Sequence, residues 1–229
     1  MMDITPKNIM DGFTVDTEKV RFEYLLKHSV LEFYYGSTVY GTITDKSDID
    51  IIVVVDNDYD DFISDYNNIF QYKDGNKEYQ FFNEDKWLDM IKNHHIIALE
   101  GLSLPDNFII KGDIVKYRKL FNLDKWKLRQ TISSIAENAY AKCHKKLTIE
   151  KDFDLYRAKK SIFHSLRVID FGKQIAEFGR IVDYKSVNYL WDIICKMETD
   201  KWEDYKARFK PLLNSMRSEF VKLCPKPIS

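Results

Sequence analysis

The stretch YYGSTVYGTITDKSDIDIIVVVD, residues 34–56, decides how the rest of the chain is interpreted. It predicts a strand, a tight glycine-serine turn, a polar loop and a second strand. The apolar run at residues 51–55 is typical of a strand that is covered on both faces. Because aspartate is depleted in strands, the acids Asp48 and Asp50 at the mouth of this strand need a chemical reason.

The pattern of acids and small residues in this stretch indicates a site for a metal-bound phosphate. Side chains alternate along a strand, so Asp48 and Asp50 point to the same side. Two like charges repel unless a cation lies between them, and Mg²⁺ prefers oxygen ligands of this kind. Gly36 permits a close approach of the backbone and Ser37 supplies a hydroxyl, which are features of phosphate sites.

A third carboxylate on a neighbouring strand is needed if two divalent ions are to be held side by side. The best candidate is Glu78, because a glycine-containing turn at residues 73–76 separates two aromatic runs and predicts a hairpin. If the strand of Glu78 lies beside the strand of Asp50, three carboxylates converge. The competing interpretation is a solvated Glu78 just after a turn. Four other acids compete for the third position: Asp56, Asp74, Glu84 and Asp85.

These motifs resemble the GS…DxD signature of the DNA polymerase β-like nucleotidyltransferase superfamily. Ten residues separate Ser37 from Asp48. The longer pattern GSxxYGxxxxxSDxD, present at residues 36–50, resembles a bacterial and phage branch, the YcgL-like predicted nucleotidyltransferases. Glutamate in place of aspartate at the third carboxylate departs from that branch. The resemblance covers roughly residues 30–180, and its looser parts are the segments 78–82, 95–102 and 159–167.

The resemblance implies transfer of a nucleoside monophosphate from ATP or another NTP to an acceptor hydroxyl, with release of pyrophosphate. Asp48, Asp50 and Glu78 would be the catalytic residues and would ligate two Mg²⁺ ions, which Mn²⁺ can replace. Gly36 and Ser37 would hold the β- and γ-phosphates of the nucleotide.

A predicted helix in the second half of the chain supplies further candidates. Lys160, His164 and Arg167 share one helical face, and the resemblance implies that they bind the nucleotide. The alternative is a solvated basic face. Lysines within residues 142–160 could hold RNA phosphates next to aromatic side chains, or they could form a solvated face as well. Glu100 is interpreted as a partner of other site residues or as a helix-end contact, not as a catalytic group.

The change in sequence pattern near residue 122 predicts the domain organisation. Strand patterns end there, and amphipathic periodicity predicts four helices: 124–147, 152–178, 184–198 and 200–223. We therefore expect an α+β fold. A mixed-sheet catalytic domain would occupy residues 1–121, and an all-helical domain would occupy residues 122–229. Earlier helices are predicted from Thr17 to about Phe33 and at residues 62–70.

The composition excludes several classes of protein. The chain has 229 residues and a formal net charge of −1, so no strong overall field attracts it to nucleic acid or to an anionic membrane. The three cysteines, Cys143, Cys195 and Cys224, form no CxxC or Cys/His pattern, which argues against zinc and against a disulfide framework. The sequence contains no apolar run of membrane-spanning length. We expect a cytoplasmic protein without a membrane partner.

The sequence leaves the acceptor open between an RNA or tRNA end, a protein hydroxyl and a small molecule. One alternative is an antitoxin-type transferase that nucleotidylates a protein partner, although such modules usually lack a helical domain of their own. Another is a non-catalytic, nucleotide-binding regulatory protein. The presence of all the motif acids argues against this last alternative.

Overall fold

A mixed five-stranded sheet organises the first half of the chain. The computed structural model describes residues 16–45, 47–62 and 69–227. In these ranges the strands are β1 (Ser29–Tyr35), β2 (Ile49–Val55), β3 (Ile69–Asp74), β4 (Lys77–Asn83) and β5 (Ile109–Gly112). Their order in the sheet is β3-β4-β2-β1-β5. β2 runs parallel to β4 and antiparallel to β1, and β3 and β4 form an antiparallel hairpin.

Helices lie on both sides of this sheet and make up the second half of the described chain. In order they are α1 (Thr17–Lys27), α2 (Ser37–Tyr40), α3 (Glu84–Lys92), α4 (Ile96–Ser103), α5 (Ile114–Arg118), α6 (Lys125–Thr148), α7 (Leu155–Phe178), α8 (Asn188–Cys195) and α9 (Trp202–Leu223). Short 3₁₀ segments occur at Asn57–Phe62, Asp106–Phe108 and Glu150–Asp152. The α+β class and the β3–β4 hairpin predicted from the sequence are confirmed.

The central strand β2 is apolar because both of its faces are covered. Ile52 and Val54 belong to a large hydrophobic cluster with the helices that follow the sheet, α3 and α4 among them. Ile51, Val53 and Val55 belong to a smaller cluster with α1 on the other face. The acids lie at the N-terminal, partly buried end of this strand.

The long helices α6, α7 and α9 pack together as the helical half. Gly179, at φ 74°, ends α7 where the sequence predicted a stop. α8 is shorter than the predicted helix at 184–198, because the preceding residues form a loop that docks on the sheet half. In that loop and at the start of α8, Tyr184 donates to the backbone oxygen of Glu100, and Asn188 Nδ2 donates to the backbone oxygen of Tyr40 at 2.7 Å.

Apart from α8, two details of the predicted secondary structure differ from the structure, and a third lies mostly outside the described residues. The first helix ends at Lys27 instead of about Phe33, since the residues from Ser29 onward pair with β2. α7 begins at Leu155 after the capping residue Asp154, later than the predicted start at residue 152, and Asp152 pairs with lysines of α6. Most of the helix predicted at residues 62–70 lies outside the described residues, and its last two residues belong to β3.

The two halves share one hydrophobic cluster. Phe33 of β1 and Trp87 of α3 belong to the same cluster of buried side chains as Ile132 of α6 and Phe171 of α7. The division predicted between residues 121 and 122 falls in the loop before α6, and it stays a prediction. None of the helices in the described ranges is both long and apolar enough to cross a membrane.

Candidate active site

Strand register brings the predicted carboxylates to one end of the sheet. One residue from each of four neighbouring strands lies opposite the next: Tyr35, Asp50, Glu78 and Lys73. Asp48 immediately precedes β2. We call Asp48, Asp50 and Glu78 the carboxylate wall. The strand of Glu78 therefore lies beside the strand of Asp50, as predicted, and the two strands run parallel.

A lysine lies between two members of the carboxylate wall. Lys73 Nζ donates to Asp48 Oδ1 at 2.8 Å and to Glu78 Oε1 at 3.2 Å. Within the described residues, no group of three or more His, Cys, Asp or Glu side chains is placed as a metal centre. The oxygen donors suit Mg²⁺, but the ammonium of Lys73 lies where a cation would contact Asp48 and Glu78. The metal ligand set of the wall stays a prediction.

The pKa values of the partly buried Asp50 and the exposed Asp48 are shifted in opposite directions. Burial and then the charge of Glu78 raise the pKa of Asp50 to about 6, against a smaller opposing effect of Lys160. The hydrogen bond from Lys73 lowers the pKa of Asp48. A cation at the wall would therefore assist the ionisation of Asp50 in particular.

The glycine-serine turn forms the start of the short helix α2 rather than a simple turn. Gly36 has φ 68°, and a Cβ at this position would lie 2.0 Å from Asp50 Oδ2. Only glycine therefore lets the turn lie against the acid. Ser47 stabilises the loop between α2 and β2, since its hydroxyl accepts a hydrogen bond from the Thr44 backbone N–H at 2.9 Å.

A buried network lies behind the turn. Glu100 is 1% exposed and accepts hydrogen bonds from the hydroxyls of Tyr40 and Tyr35, the latter at 3.4 Å. Burial raises the pKa of Glu100 to about 7, and the charge of Arg167 acts in the opposite direction. The guanidinium of Arg167 lies 3.6 Å from the centre of the Tyr40 ring. We call these four residues the buried network. Glu100 is thus a partner of site residues, as the sequence suggested.

The predicted nucleotide-binding face of α7 is only partly solvated. Arg167 is 8% exposed, and its NH2 group lies 3.1 Å from His164 Nδ1. Nothing in the described part of the chain accepts a hydrogen bond from Arg167 Nε. Burial and the charge of Arg167 lower the pKa of His164 to about 3, so this imidazole is neutral near pH 7. The alternative of a solvated basic face is wrong for these two residues.

A cleft of about 880 Å³ between the sheet half and the helical half collects the candidates. This volume lies within the range of small-molecule sites. Aromatic rings of α7 and α8 line the cleft beside the amide of Asn138. All the residues that the sequence singled out for the site line it: Gly36, Ser37, Asp48, Asp50, Glu78, Lys160, His164 and Arg167.

The basic zone considered for RNA is smaller than its sequence suggests. The two lysines at residues 145–146 pair with Asp152. Lys159 Nζ donates to two backbone oxygens at the end of α8, at 3.1 and 2.8 Å. Lys142 and Lys160 line the cleft. The positive charge that faces the carboxylate wall is therefore concentrated at few positions.

The sequence interpretation missed two residues of the site, Lys73 and Tyr35. A signal for Lys73 was present, because the two-residue turn at Gly75 and Asn76 pairs residue 73 with residue 78 in an antiparallel hairpin. The role of Tyr35 depends on its contact with Glu100, which is distant in sequence.

Comparison with known protein families supports the fold of the first half of the chain. Residues 18–129 match the sequence model of the nucleotidyltransferase domain family. This match runs from α1 into the first turns of α6, and it supports a nucleotidyltransferase domain of the DNA polymerase β-like superfamily. The closer likeness to the YcgL-like branch stays a prediction.

Solved structures and curated proteins add little detail. One matching structure is a nucleotidyltransferase-like protein from Exiguobacterium sibiricum, 14% identical, with a TM-score of 0.30. The match covers 91% of this chain and 73% of that chain. A search of curated proteins gave no match.

Proposed function

We propose that the chain is a Mg²⁺-dependent nucleotidyltransferase that moves a nucleoside monophosphate from an NTP to an acceptor hydroxyl. The observation that supports this most strongly is the parallel register of β2 and β4. It sets Asp50 beside Glu78, with Gly36 packed against Asp50, at the edge of a cleft large enough for a nucleotide.

Asp48, Asp50 and Glu78 are the residues that would hold the metal. Two divalent ions, when bound, would neutralise the triphosphate and stabilise the attacking and leaving oxygens. The carboxylates themselves fix where the positive charge is placed. Asp50, whose pKa is raised to about 6, binds a cation best once it has lost its proton.

The remaining residues of the cleft position the nucleotide. Gly36 allows the backbone to approach the phosphates, and the Ser37 hydroxyl donates to them. From the opposite side, Lys160 and Arg167 supply fixed positive charge, whereas neutral His164 supplies a hydrogen bond. These contacts lower the barrier mainly by placing the α-phosphorus and the acceptor oxygen in line.

Glu78 lies on the acceptor side of the proposed site, where it would orient the acceptor hydroxyl and receive its proton. The acceptor oxygen forms a bond to the α-phosphorus as the bond to the bridging oxygen breaks, and pyrophosphate leaves. The small number of unpaired cleft lysines supports a short acceptor footprint, such as a tRNA end or a small molecule, over a long RNA.

Label transfer tests the proposal. The pure protein is incubated with Mg²⁺ or Mn²⁺ and each α-labelled NTP, with total tRNA, bulk RNA or cell extract added in turn. We expect a labelled acceptor that disappears with Asp48→Ala. Asp58→Ala, which removes an exposed acid outside the cleft, is the matched control and should keep full activity.

The identity of the labelled product distinguishes the candidates. Label on RNA supports terminal transfer, and label on a protein supports the antitoxin-type alternative. Absence of any labelled acceptor, together with no metal-dependent NTP binding, would contradict transfer and leave a nucleotide-independent role.

A further inference from the structure

We infer that Lys73 is a resident counter-ion of the carboxylate wall, which a divalent ion must displace, so that this lysine sets the affinity for the metal. The inference rests on the proposed function, because it treats Asp48 and Glu78 as metal ligands. It assigns to the β3–β4 hairpin a role that none of the signature motifs contains.

The position of Lys73 is fixed by backbone pairing. Lys73 lies opposite Glu78 in the antiparallel pair β3–β4, and Glu78 lies opposite Asp50 in the parallel pair β4–β2. Backbone pairing across three adjacent strands therefore places the Lys73 ammonium at the same end of the sheet as the acids. The lysine is not carried by a long loop that could turn away.

The contacts of Lys73 are those that a metal ion would need. Its Nζ lies 2.8 Å from Asp48 Oδ1 and 3.2 Å from Glu78 Oε1. One ammonium thus bridges two carboxylates that would otherwise repel each other. A divalent ion bound to the same oxygens cannot share this space with Nζ, so the two cations compete.

The exposure of these side chains shows that the lysine can be displaced. Lys73 is 53% exposed, and its partners Asp48 and Glu78 are 41% and 48% exposed. Ion pairs this open to water are weak because solvent screens them. The lysine therefore offsets part of the negative charge of the wall without metal, yet it yields to an ion of higher charge.

Mn²⁺ binding without nucleotide tests the inference, with free Mn²⁺ measured by its electron paramagnetic resonance signal. Lys73→Met removes the charge and keeps most of the side-chain stem. Because Mn²⁺ no longer has to break two weak ion pairs, we expect Lys73→Met to bind Mn²⁺ about three- to tenfold more tightly than wild type. Lys73→Arg, which retains the charge, should stay close to wild type.

Lys77→Met is the matched control. Lys77 is an exposed lysine on the same hairpin, and its side chain points to the opposite side of β4 from Glu78. Its Mn²⁺ affinity should equal that of wild type. If any loss of positive charge strengthened Mn²⁺ binding, Lys77→Met would gain as much Mn²⁺ affinity as Lys73→Met. This result would overturn the inference.

Thermal melting gives a second, activity-independent measurement. Without divalent ions Lys73→Met should melt below Lys73→Arg, because its carboxylates have lost their counter-ion, and saturating Mn²⁺ should close the gap. Equal Mn²⁺ affinity for wild type and Lys73→Met would overturn the inference and leave the proposed function standing. Failure of wild type and Lys73→Met alike to bind Mn²⁺, even with NTP present, would overturn both.

Discussion

The carboxylate wall and the buried network meet in one cleft but are held by different forces. Backbone pairing places the wall, whose exposed members Asp48 and Glu78 are paired with a lysine. The buried network depends on side chains from distant elements, with a carboxylate that is 1% exposed. The wall can therefore carry chemistry with little effect on stability, whereas the network couples the site to folding.

The connections of the buried network explain this coupling. Tyr40 ends the short helix α2 that follows Gly36, Glu100 belongs to α4 and Arg167 to α7. Each member satisfies or shields the polar group of another, and an unpartnered charge in such a place is costly. The network thereby fixes the turn of the sheet half against the helical half.

The largest effect is expected at the wall. Asp50→Asn should lower nucleotidyl transfer by about 10³-fold or more, on the scale known for loss of a group that stabilises transition-state charge. Its melting temperature near pH 7 should match or exceed that of wild type, because burial disfavours the charge of Asp50. Steady-state label transfer and thermal melting measure the two effects. A large loss of stability would show that the wall is not independent of the fold.

The reverse pattern is expected in the buried network. Glu100→Ala should lower the free energy of unfolding by about 2–4 kcal/mol, because two phenolic hydroxyls lose their acceptor and Arg167 loses the opposing charge. Urea unfolding measures the change. Glu203→Ala, at an exposed ion pair with Lys206, is the control and should cost less than about 1 kcal/mol. Equal losses in the two variants would contradict the comparison.

The wall could be predicted from sequence because local rules determine it. Alternation along a strand puts Asp50 on the same side as Asp48, and the hairpin turn puts Glu78 at the start of β4. The same turn would have given Lys73, since a two-residue turn fixes the pairing of the residues around it. The neighbourhood of β2 and β4 still required the hypothesis that these two strands are adjacent.

The partners within the buried network could not be predicted, because the contacts of Glu100 and Arg167 join residues that are far apart in sequence. The helical period predicted that Lys160, His164 and Arg167 share one face of α7, and this face lines the cleft. It did not predict the burial that keeps the His164 imidazole neutral. A glutamate in an otherwise apolar helix, such as Glu100 in α4, was a signal that it would be buried with partners. Nothing local indicated that those partners would be tyrosines of the signature stretch.

The pH dependence of stability tests the raised pKa of Asp50 in the carboxylate wall. The folded-state pKa of Asp50 is raised above its ordinary value, so folding favours the protonated form. Its unfavourable contribution is absent below about pH 4 and complete above about pH 6. The stability of Asp50→Asn relative to wild type should therefore rise across this window. Chemical denaturation at a series of pH values measures it, and a flat difference would contradict the raised pKa.

The smallest effect is expected for the lysines of the helical half. A lysine that lines the cleft should affect NTP binding, whereas a lysine paired with an acid should not. Lys160 lies close enough to lower the pKa of Asp50 and lines the cleft, so Lys160→Gln should weaken NTP binding by about five- to tenfold. Lys145 instead pairs with Asp152, and Lys145→Gln should leave NTP binding unchanged. Titration with a fluorescent NTP analogue measures both. If both variants weakened binding equally, diffuse charge would hold the nucleotide; if only Lys160→Gln did, the cleft would hold it at a defined position opposite the acids.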